Sequence, residues 1–301
     1  MTELFRYIVG KKYTNLEKAL NEGANVNIVD KESGYTPLLL AIDNGDLKAV
    51  KQILKAGPDI NKLLAITAGT AARSKFILKV TPLLFALDRL NSDNIRKMNN
   101  IVKALLAAGA DPNIVSVSIM NPMLKNILSV EEQRWLQHPP ARIPLISAIY
   151  SRSKSTVKIL LDAGANTEQT IRIPATMREV LASTKASRGK DVTALYFAPS
   201  VPHSSSNGKE ITLLLLEAGA NQEYKINNKT TLQLHEEAVD ENKPRDWNEM
   251  NSQEQKEYLK NTPYALHSAA IKLFNNRKKN KTVKKQNSPS SKKNKTQKNS
   301  K

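Results

Sequence analysis

Two short stretches of the 301-residue sequence have residue types that could carry out chemistry. His235-Glu236-Glu237 begins like the H-E-x-x-H helix of zinc proteases, in which two histidines bind the metal and the glutamate acts as a base. Val239 stands where the second histidine is needed, so this motif is incomplete. The segment from Gly69 to Lys75 approaches a phosphate-binding loop, but it lacks the Gly-Lys-Ser/Thr ending that touches phosphate and magnesium. We therefore predict no catalytic residue, no metal site and no cofactor.

Two properties of the whole chain limit the remaining function classes. The sequence has no cysteine, which excludes disulfides, thiolate nucleophiles and cysteine-ligated metals. No window reaches the roughly 18 apolar residues of a membrane span, and the amino terminus lacks the pattern of a secretory signal peptide. The sequence therefore predicts a soluble protein with no membrane span, suited to a reducing compartment.

The net charge of +18 is concentrated at the carboxyl end. Residues 275–301 contain eleven Lys or Arg and no Asp or Glu, which leaves a net charge of +7 for residues 1–274. Residues 277–301 are too polar to bury a core, so we predict a disordered Lys-rich tail. Three interpretations stay open for it: a solubilising segment, a nuclear import signal, or a contact for nucleic acid or an anionic membrane. Its basic clusters comprise Lys278, Lys279, Lys281, Lys292, Lys293 and Lys295.

Two phrases alternate along the chain, and each occurs five times. The phrase L-x-x-G-x-N/D predicts a helix end, because glycine readily adopts the left-handed conformation that follows a helix. It spans Leu20–Asn25, Leu54–Asp59, Leu106–Asp111, Leu161–Asn166 and Leu216–Asn221. The other phrase, clearest as T-P-L, predicts a helix start, with threonine as the cap and proline at the first helical position. It spans Thr36–Ile42, Thr81–Leu87, Ile143–Ile149, Thr193–Ala198 and Thr230–His235.

This alternation resembles the ankyrin repeat, a unit of about 33 residues with a turn, two antiparallel helices and the signature T-P-L-H-x-A. The resemblance covers roughly residues 1–240, and the stretches Leu47–Leu54 and Met98–Leu105 each place their apolar residues on one helix face. It implies an all-α solenoid of stacked helix-turn-helix units. It also implies that a partner protein docks on the concave surface, which turn tips and first helices form.

Unit spacing predicts irregular insertions. An ankyrin unit takes about 21 residues from its starting Thr to its ending Gly, and about 12 more to the next start. The units that begin at Thr36 and Ile143 have the regular length, whereas those that begin at Thr81 and Thr193 are longer, as are three of the turns between units. We therefore predict insertions near residues 58–80, 88–100, 111–142, 165–191 and 199–208. Asn121-Pro122 and Ser129 could each begin a helix within the longest of them.

The predicted domain organisation follows from these phrases. Residues 1–35 should form an amino-terminal capping unit, with Asn15 as the cap of its second helix. Residues 36–240 form the repeat array, and residues 241–276 a carboxy-terminal helical cap. In that last segment, Ser252 begins a capping-box pattern.

The fourth and fifth units, at about residues 191–240, should be the least stable part of the array. Ala194 and Thr231 stand there in place of the starting proline. The histidine of the family signature is also absent from all five helix starts.

The family resemblance implies a monomeric, non-enzymatic scaffold that binds one or more proteins. Tyr and Arg are enriched at interface hot spots, and we expect the partner-binding residues to be exposed. The candidates are Tyr35, Asp43, Asn44, Arg89, Tyr150 and Arg152. Two alternatives remain: an adaptor for nucleic acid or the nucleus acting through the tail, and an enzyme whose site is built from the insertions.

The abundance of Lys over Arg, and of Asn, is typical of AT-rich coding in intracellular bacteria and large viruses. By analogy with ankyrin effectors of such organisms, a host-targeted effector is a further hypothesis. The predicted location is the cytoplasm, with a host cell reached by a non-classical route or the nucleus as alternatives. The identity of the partner stays open.

Overall fold

The structure of the chain is a computed structural model. It describes residues 2–31, 33–66, 76–116, 118–120, 142–172, 190–198, 205–234, 236, 249–254, 271, 272, 274 and 275.

In the part of the chain that the structure describes, five pairs of antiparallel helices follow one another. The pairs are α1 (Glu3–Val9) with α2 (Tyr13–Asn21), α3 (Pro37–Asp43) with α4 (Leu47–Lys55), α5 (Pro82–Asp88) with α6 (Ile95–Ala107), α7 (Pro144–Tyr150) with α8 (Lys154–Asp162), and α9 (Ala194–Phe197) with α10 (Ser205–Glu217). Each first helix contacts the first helix of the next pair, and each second helix contacts the next second helix. The stack therefore has two layers, which we call the first-helix face and the second-helix face.

The predicted helix starts and ends are where the phrases place them. The side-chain oxygens of Thr36 and Thr81 accept hydrogen bonds from the backbone N–H of Leu39 (3.3 Å) and Leu84 (3.2 Å), which satisfies one free donor in each first turn. At the helix ends, the glycines have φ between +69° and +94°, a region that side chains with a Cβ adopt only with strain. They are Gly23, Gly57, Gly109, Gly164 and Gly219.

The core is one continuous apolar cluster between the layers. The predicted faces of the second helices are buried: Val50 and Ile53 of α4 and Ile101 and Leu105 of α6 are fully shielded from solvent. Each such side chain contributes about 2 kcal/mol when it leaves water. Because neighbouring pairs share this cluster, no pair buries its apolar face alone.

The insertion predicted near residues 88–100 is divided between a loop and a helix. The connection between α3 and α4 has three residues, whereas Arg89–Asn94 has six, and α6 has 13 residues where α4 has nine. The Asn94 side chain donates to the carbonyl of Arg89 (2.7 Å) and accepts from the N–H of Asn91 (2.9 Å). The extra residues therefore build an ordered turn and an additional helical turn.

The turns that follow the helix pairs contain short antiparallel strands that the sequence did not predict. Strands β1 (Leu64–Ile66), β2 (Phe76–Val80) and β3 (Ser118–Met120) pair in that order, β4 (Thr170–Arg172) pairs with β5 (Asp191–Thr193), and β6 (Lys225–Ile226) with β7 (Lys229–Thr230). In register, Leu64 faces Val80 and Phe76 faces Met120. The fold is still dominated by helices, with hairpins extending the turns.

Two predicted caps are wrong in detail. Helix α2 already begins at Tyr13, so Asn15 lies inside it and does not cap it. In the carboxy-terminal segment, the capping box is one residue earlier than Ser252. The Asn251 side chain accepts from the N–H of Glu254 (3.0 Å), and the Glu254 carboxylate accepts from the N–H of Asn251 (2.8 Å).

Other predicted segments lie mostly or wholly outside the described residues. They include the helices expected after Asn121 and Ser129, the tail at 277–301, and most of the cap at 241–276. Within that cap, Phe274 is fully buried and belongs to the core cluster.

Candidate partner-binding face

Three of the predicted partner-binding residues form one cluster on the first-helix face. The Arg89 guanidinium donates to the Asp43 carboxylate (Nε to Oδ1, 2.5 Å) and to the Tyr35 hydroxyl (3.1 Å). It also lies 4.4 Å from the centre of the Phe85 ring, which meets the Tyr35 ring edge-on at 5.4 Å. Arg89 thus bridges two neighbouring units through an ion pair, a hydrogen bond and a cation–π contact.

The cluster changes what these residues can offer to a partner. Tyr35, which we expected to be exposed, is only 9% exposed, and that expectation is wrong. Burial alone would lower the pKa of Arg89, but its bonds to Asp43 and Tyr35 outweigh this and raise it. The guanidinium is therefore held charged and fixed in position.

A second charged contact continues this row toward the third unit. Arg142, at the start of that unit, donates to the carboxylate of Asp88 at the end of α5. Burial raises the pKa of Asp88, and the nearby Arg142 and Arg89 only partly oppose the rise. Charged pairs thus link successive units along the first-helix face.

Among the described residues of this face, Tyr150 is the exposed aromatic one. It is 40% exposed, and its ring packs against Phe197 of the next unit with 5.6 Å between ring centres. Partial burial raises the pKa of Tyr150 to about 12, so the phenol is neutral at physiological pH. Such a ring, fixed from one side and open on the other, suits an interface anchor.

Arg152 and Asn44 lie in equivalent connections between paired helices. Arg152 has φ +55°, at the position that Gly45 occupies with φ +59° in the first regular unit. A left-handed conformation is unfavourable for arginine, and such strain is concentrated at functional sites. Asn44 uses its backbone carbonyl to accept from the Lys97 ammonium (3.2 Å). The structure therefore leaves Arg152 exposed, whereas Asn44 helps to hold α6 against the preceding unit.

A ladder of hydrogen bonds at the turn tips was missed by the sequence analysis. Two residues after the Asn or Asp that ends each of the first four helix-end phrases, a side-chain oxygen accepts a hydrogen bond. The donor is the backbone N–H of the Asn or Asp that ends the next phrase. The four steps are Asn27 to Asp59 (2.8 Å), Asn61 to Asp111 (2.8 Å), Asn113 to Asn166 (2.7 Å) and Glu168 to Asn221 (2.8 Å). The recurring Asn or Glu at this offset was the signal in the sequence.

Comparison with known proteins agrees with this geometry. Residues 7–116 match the family model described as ankyrin repeats in three copies. Residues 7–116 therefore contain ankyrin repeats, and the chain has the ankyrin-repeat fold. A search of the curated proteins found no match.

Two solved structures are similar to this chain. An ankyrin repeat domain from Acinetobacter baumannii AYE is 19% identical, with a TM-score of 0.51, and the alignment covers 89% of this chain and 96% of that one. EF0377, an ankyrin repeat protein, is 20% identical with a TM-score of 0.49, covering 78% of this chain and 90% of that one. At this identity, the first likeness concerns the fold alone.

Ankyrin repeats generally mediate protein–protein interaction and are typically non-enzymatic modules, which implies protein partners for this chain. Among the described residues, no group of three or more His, Asp or Glu side chains could hold a metal ion. In the same part of the chain, no helix is both long and apolar enough to cross a bilayer. The incomplete motifs at Gly69–Lys75 and His235 lie outside or at the edge of what the structure describes, as do the lysines of the tail.

Proposed function

We propose that this ankyrin-repeat protein is a monomeric, non-enzymatic scaffold that binds a partner protein on its first-helix face. The observation that supports this best is the exposed ring of Tyr150, packed on Phe197 and two residues from the strained, exposed Arg152. Aromatic and arginine side chains of this kind supply most of the energy at interface hot spots. Because Phe197 fixes the ring before binding, less entropy is lost when a partner covers it.

Two charged pairs lie on the same face as this anchor, in the units that precede it. Asp43 with Arg89, and Asp88 with Arg142, are held in place by contacts between units. We propose that they form a polar rim around the anchor, which favours a correctly oriented partner more than it raises affinity.

A photo-crosslinking amino acid at position 150 tests this function. In cell extract, we expect a specific protein adduct from position 150 and none from position 9. Val9 lies in the amino-terminal capping unit and is 58% exposed. Replacing Arg152 by alanine in the crosslinking protein should remove the adduct. Equal crosslinking at both positions would contradict the proposal. So would an adduct at position 150 that persists when Arg152 is replaced by alanine.

The same assay separates the first-helix face from the basic tail. The adduct at position 150 should persist in a chain that ends at residue 276. A protein captured only when residues 277–301 are present would instead support an adaptor that acts through its tail.

A further inference from the structure

Helices α4 and α6 form a strongly basic part of the second-helix face. They are adjacent in the stack, and neither contains an Asp or Glu. Their exposed cations are Lys48, Lys51, Lys55, Arg96, Lys97 and Lys103. We call these six residues the basic face.

The charges of the basic face have no carboxylate partner among the described residues. Lys48 lies over the ring of Tyr13 (4.3 Å), and Lys97 donates to a backbone carbonyl, but neither contact neutralises charge. The next second helix is different: its Lys154 pairs with Glu210 (2.8 Å) and its Lys158 with Asp162 (3.4 Å). Uncompensated like charges repel one another in the folded state, and a bound anion relieves that repulsion.

The additional helical turn of α6 enlarges the basic face. Since α6 is four residues longer than α4 and begins at Ile95, Arg96 and Lys97 lie in its first turn. A groove between α6 and α8 adjoins this turn, and it presents the donors of Arg96, Asn100, Lys103 and Ser155 on one side of the molecule. This insertion therefore places positive charge and hydrogen-bond donors around a concavity.

The basic face is limited in extent. Seven residues separate Lys48 from Lys55, and also Arg96 from Lys103, so each row spans about 10 Å along its helix. The two helix axes are about 10 Å apart. Glu17 on α2 borders the face on one side, and Asp162 on α8 borders it on the other. An extended chain covers such a width with about three to six residues.

We propose that the basic face binds a short acidic segment of a partner protein. The unopposed positive charge ends at Glu17 on one side, and on the other side at α8, whose Lys154 and Lys158 are already paired with Glu210 and Asp162. A longer polyanion that continued past the two helices, such as a nucleic-acid duplex or an anionic bilayer, would gain no further free cation there. Neither α4 nor α6 has an aromatic residue on which nucleic-acid bases could stack. This surface lies on the layer opposite the proposed anchor at Tyr150, so both surfaces can be occupied together.

Binding of a fluorescein-labelled hexaglutamate peptide to the full-length protein tests the proposal by fluorescence anisotropy. The test variant is Lys51→Glu/Arg96→Glu/Lys103→Glu. The matched control is Lys31→Glu/Arg172→Glu/Lys225→Glu, which changes the net charge equally at exposed positions outside the basic face. We expect the test variant to bind at least about tenfold more weakly and the control to change by less than about twofold. The binding of the wild type should weaken as salt is added.

Three results would overturn the proposal: no peptide binding by the wild type, equal losses in both variants, or tighter binding of duplex DNA or phosphatidylserine vesicles that depends on the basic face. A neutral triple variant, with glutamine at positions 51, 96 and 103, should also lose binding. Urea unfolding midpoints of all variants distinguish lost binding from lost folding.

Discussion

The side-chain oxygen of Asn113 accepts a hydrogen bond from the backbone N–H of Asn166, 2.7 Å away and one whole unit further along the chain. The same amide donates to the carbonyl of Gly164 (3.2 Å). Asn61 makes the equivalent pair of bonds to Asp111 and Gly109 (2.8 and 3.0 Å). Each asparagine thus satisfies two backbone groups of the next turn and holds adjacent units in register.

Replacing Asn113 by alanine should lower the free energy of unfolding by about 1 kcal/mol, because two hydrogen bonds between units are lost while water can partly replace them. Urea denaturation measures the change. Asn100→Ala is the control, because Asn100 is exposed within α6 and alanine favours helix. It should leave the stability unchanged or raise it by up to about 0.5 kcal/mol. A loss at Asn100 as large as that at Asn113 would argue against the ladder.

The strained backbone at Arg152 predicts that a substitution can raise stability while it reduces binding. Arg152→Gly should increase the free energy of unfolding by about 0.5 kcal/mol, since glycine tolerates φ +55° but has more freedom when unfolded. The reciprocal change, Gly45→Ala, should decrease it by about 1 kcal/mol, because φ is +59° and a Cβ there would lie 2.4 Å from Cε of Lys97. Thermal unfolding measures both. If Arg152→Gly instead lowers the free energy of unfolding, contacts of the Arg152 side chain stabilise the fold by more than the backbone strain destabilises it.

The fourth and fifth units should open before the others, as their sequence predicts. The first helix of the fourth unit has only four residues, and the buried hydroxyls of Thr193 and Thr231 lack a hydrogen-bond partner. The ladder step from Glu168 also lacks the amide that donates to glycine carbonyls in the second and third steps. Amide hydrogen exchange should therefore be faster in residues 191–240 than in α3 to α6. Uniform exchange along the array would contradict this.

Replacing Ala194 by proline should slow amide hydrogen exchange in the fourth and fifth units. Ala194 is the first residue of α9 and is buried, as are Pro37, Pro82 and Pro144 at the same place in other units. Thr193 before it has an extended backbone (ψ 168°), which is compatible with a following proline. Ala194→Pro therefore removes freedom from the unfolded chain without a helical hydrogen bond being lost. Loss of protection in α10 on this change would place the helix start elsewhere.

The raised pKa of Tyr150 predicts a loss of stability in alkali. The pKa is 10.0 in an unfolded chain and about 12 in the folded protein, so folding favours the neutral phenol. This contribution is complete below pH 10 and is lost as the pH rises toward 12. Tyr150→Phe removes the titrating group, so its urea midpoint should fall less across that range than the wild-type midpoint. If the urea midpoints of the two proteins fell equally between pH 10 and pH 12, the raised pKa of Tyr150 would be contradicted.

Much of the fold could be predicted from short-range sequence signals. Thr36 and Thr81 cap the helices that the T-P-L phrases predict. The glycines after α4, α6, α8 and α10 have the expected left-handed backbone conformation. These features depend on contacts within three or four residues. Asn15 and Ser252 failed as caps because several polar residues adjoin each helix start, and composition does not select among them.

The sequence by itself determined the resemblance to ankyrin repeats, the positions of the helix starts and ends, and the buried faces of α4 and α6, because all of these follow from local backbone preference and helical periodicity. Only the tertiary structure decided which surface residues meet. Arg89 is hydrogen-bonded to Asp43, 46 positions away in the sequence, and Asn113 is hydrogen-bonded to Asn166, 53 positions away. In the sequence, β1, β2 and α5 lie between α4 and α6. The charged residues of these two helices form one surface only because the units stack. Such contacts depend on loop lengths and on the packing between units, and neither is encoded in any single unit.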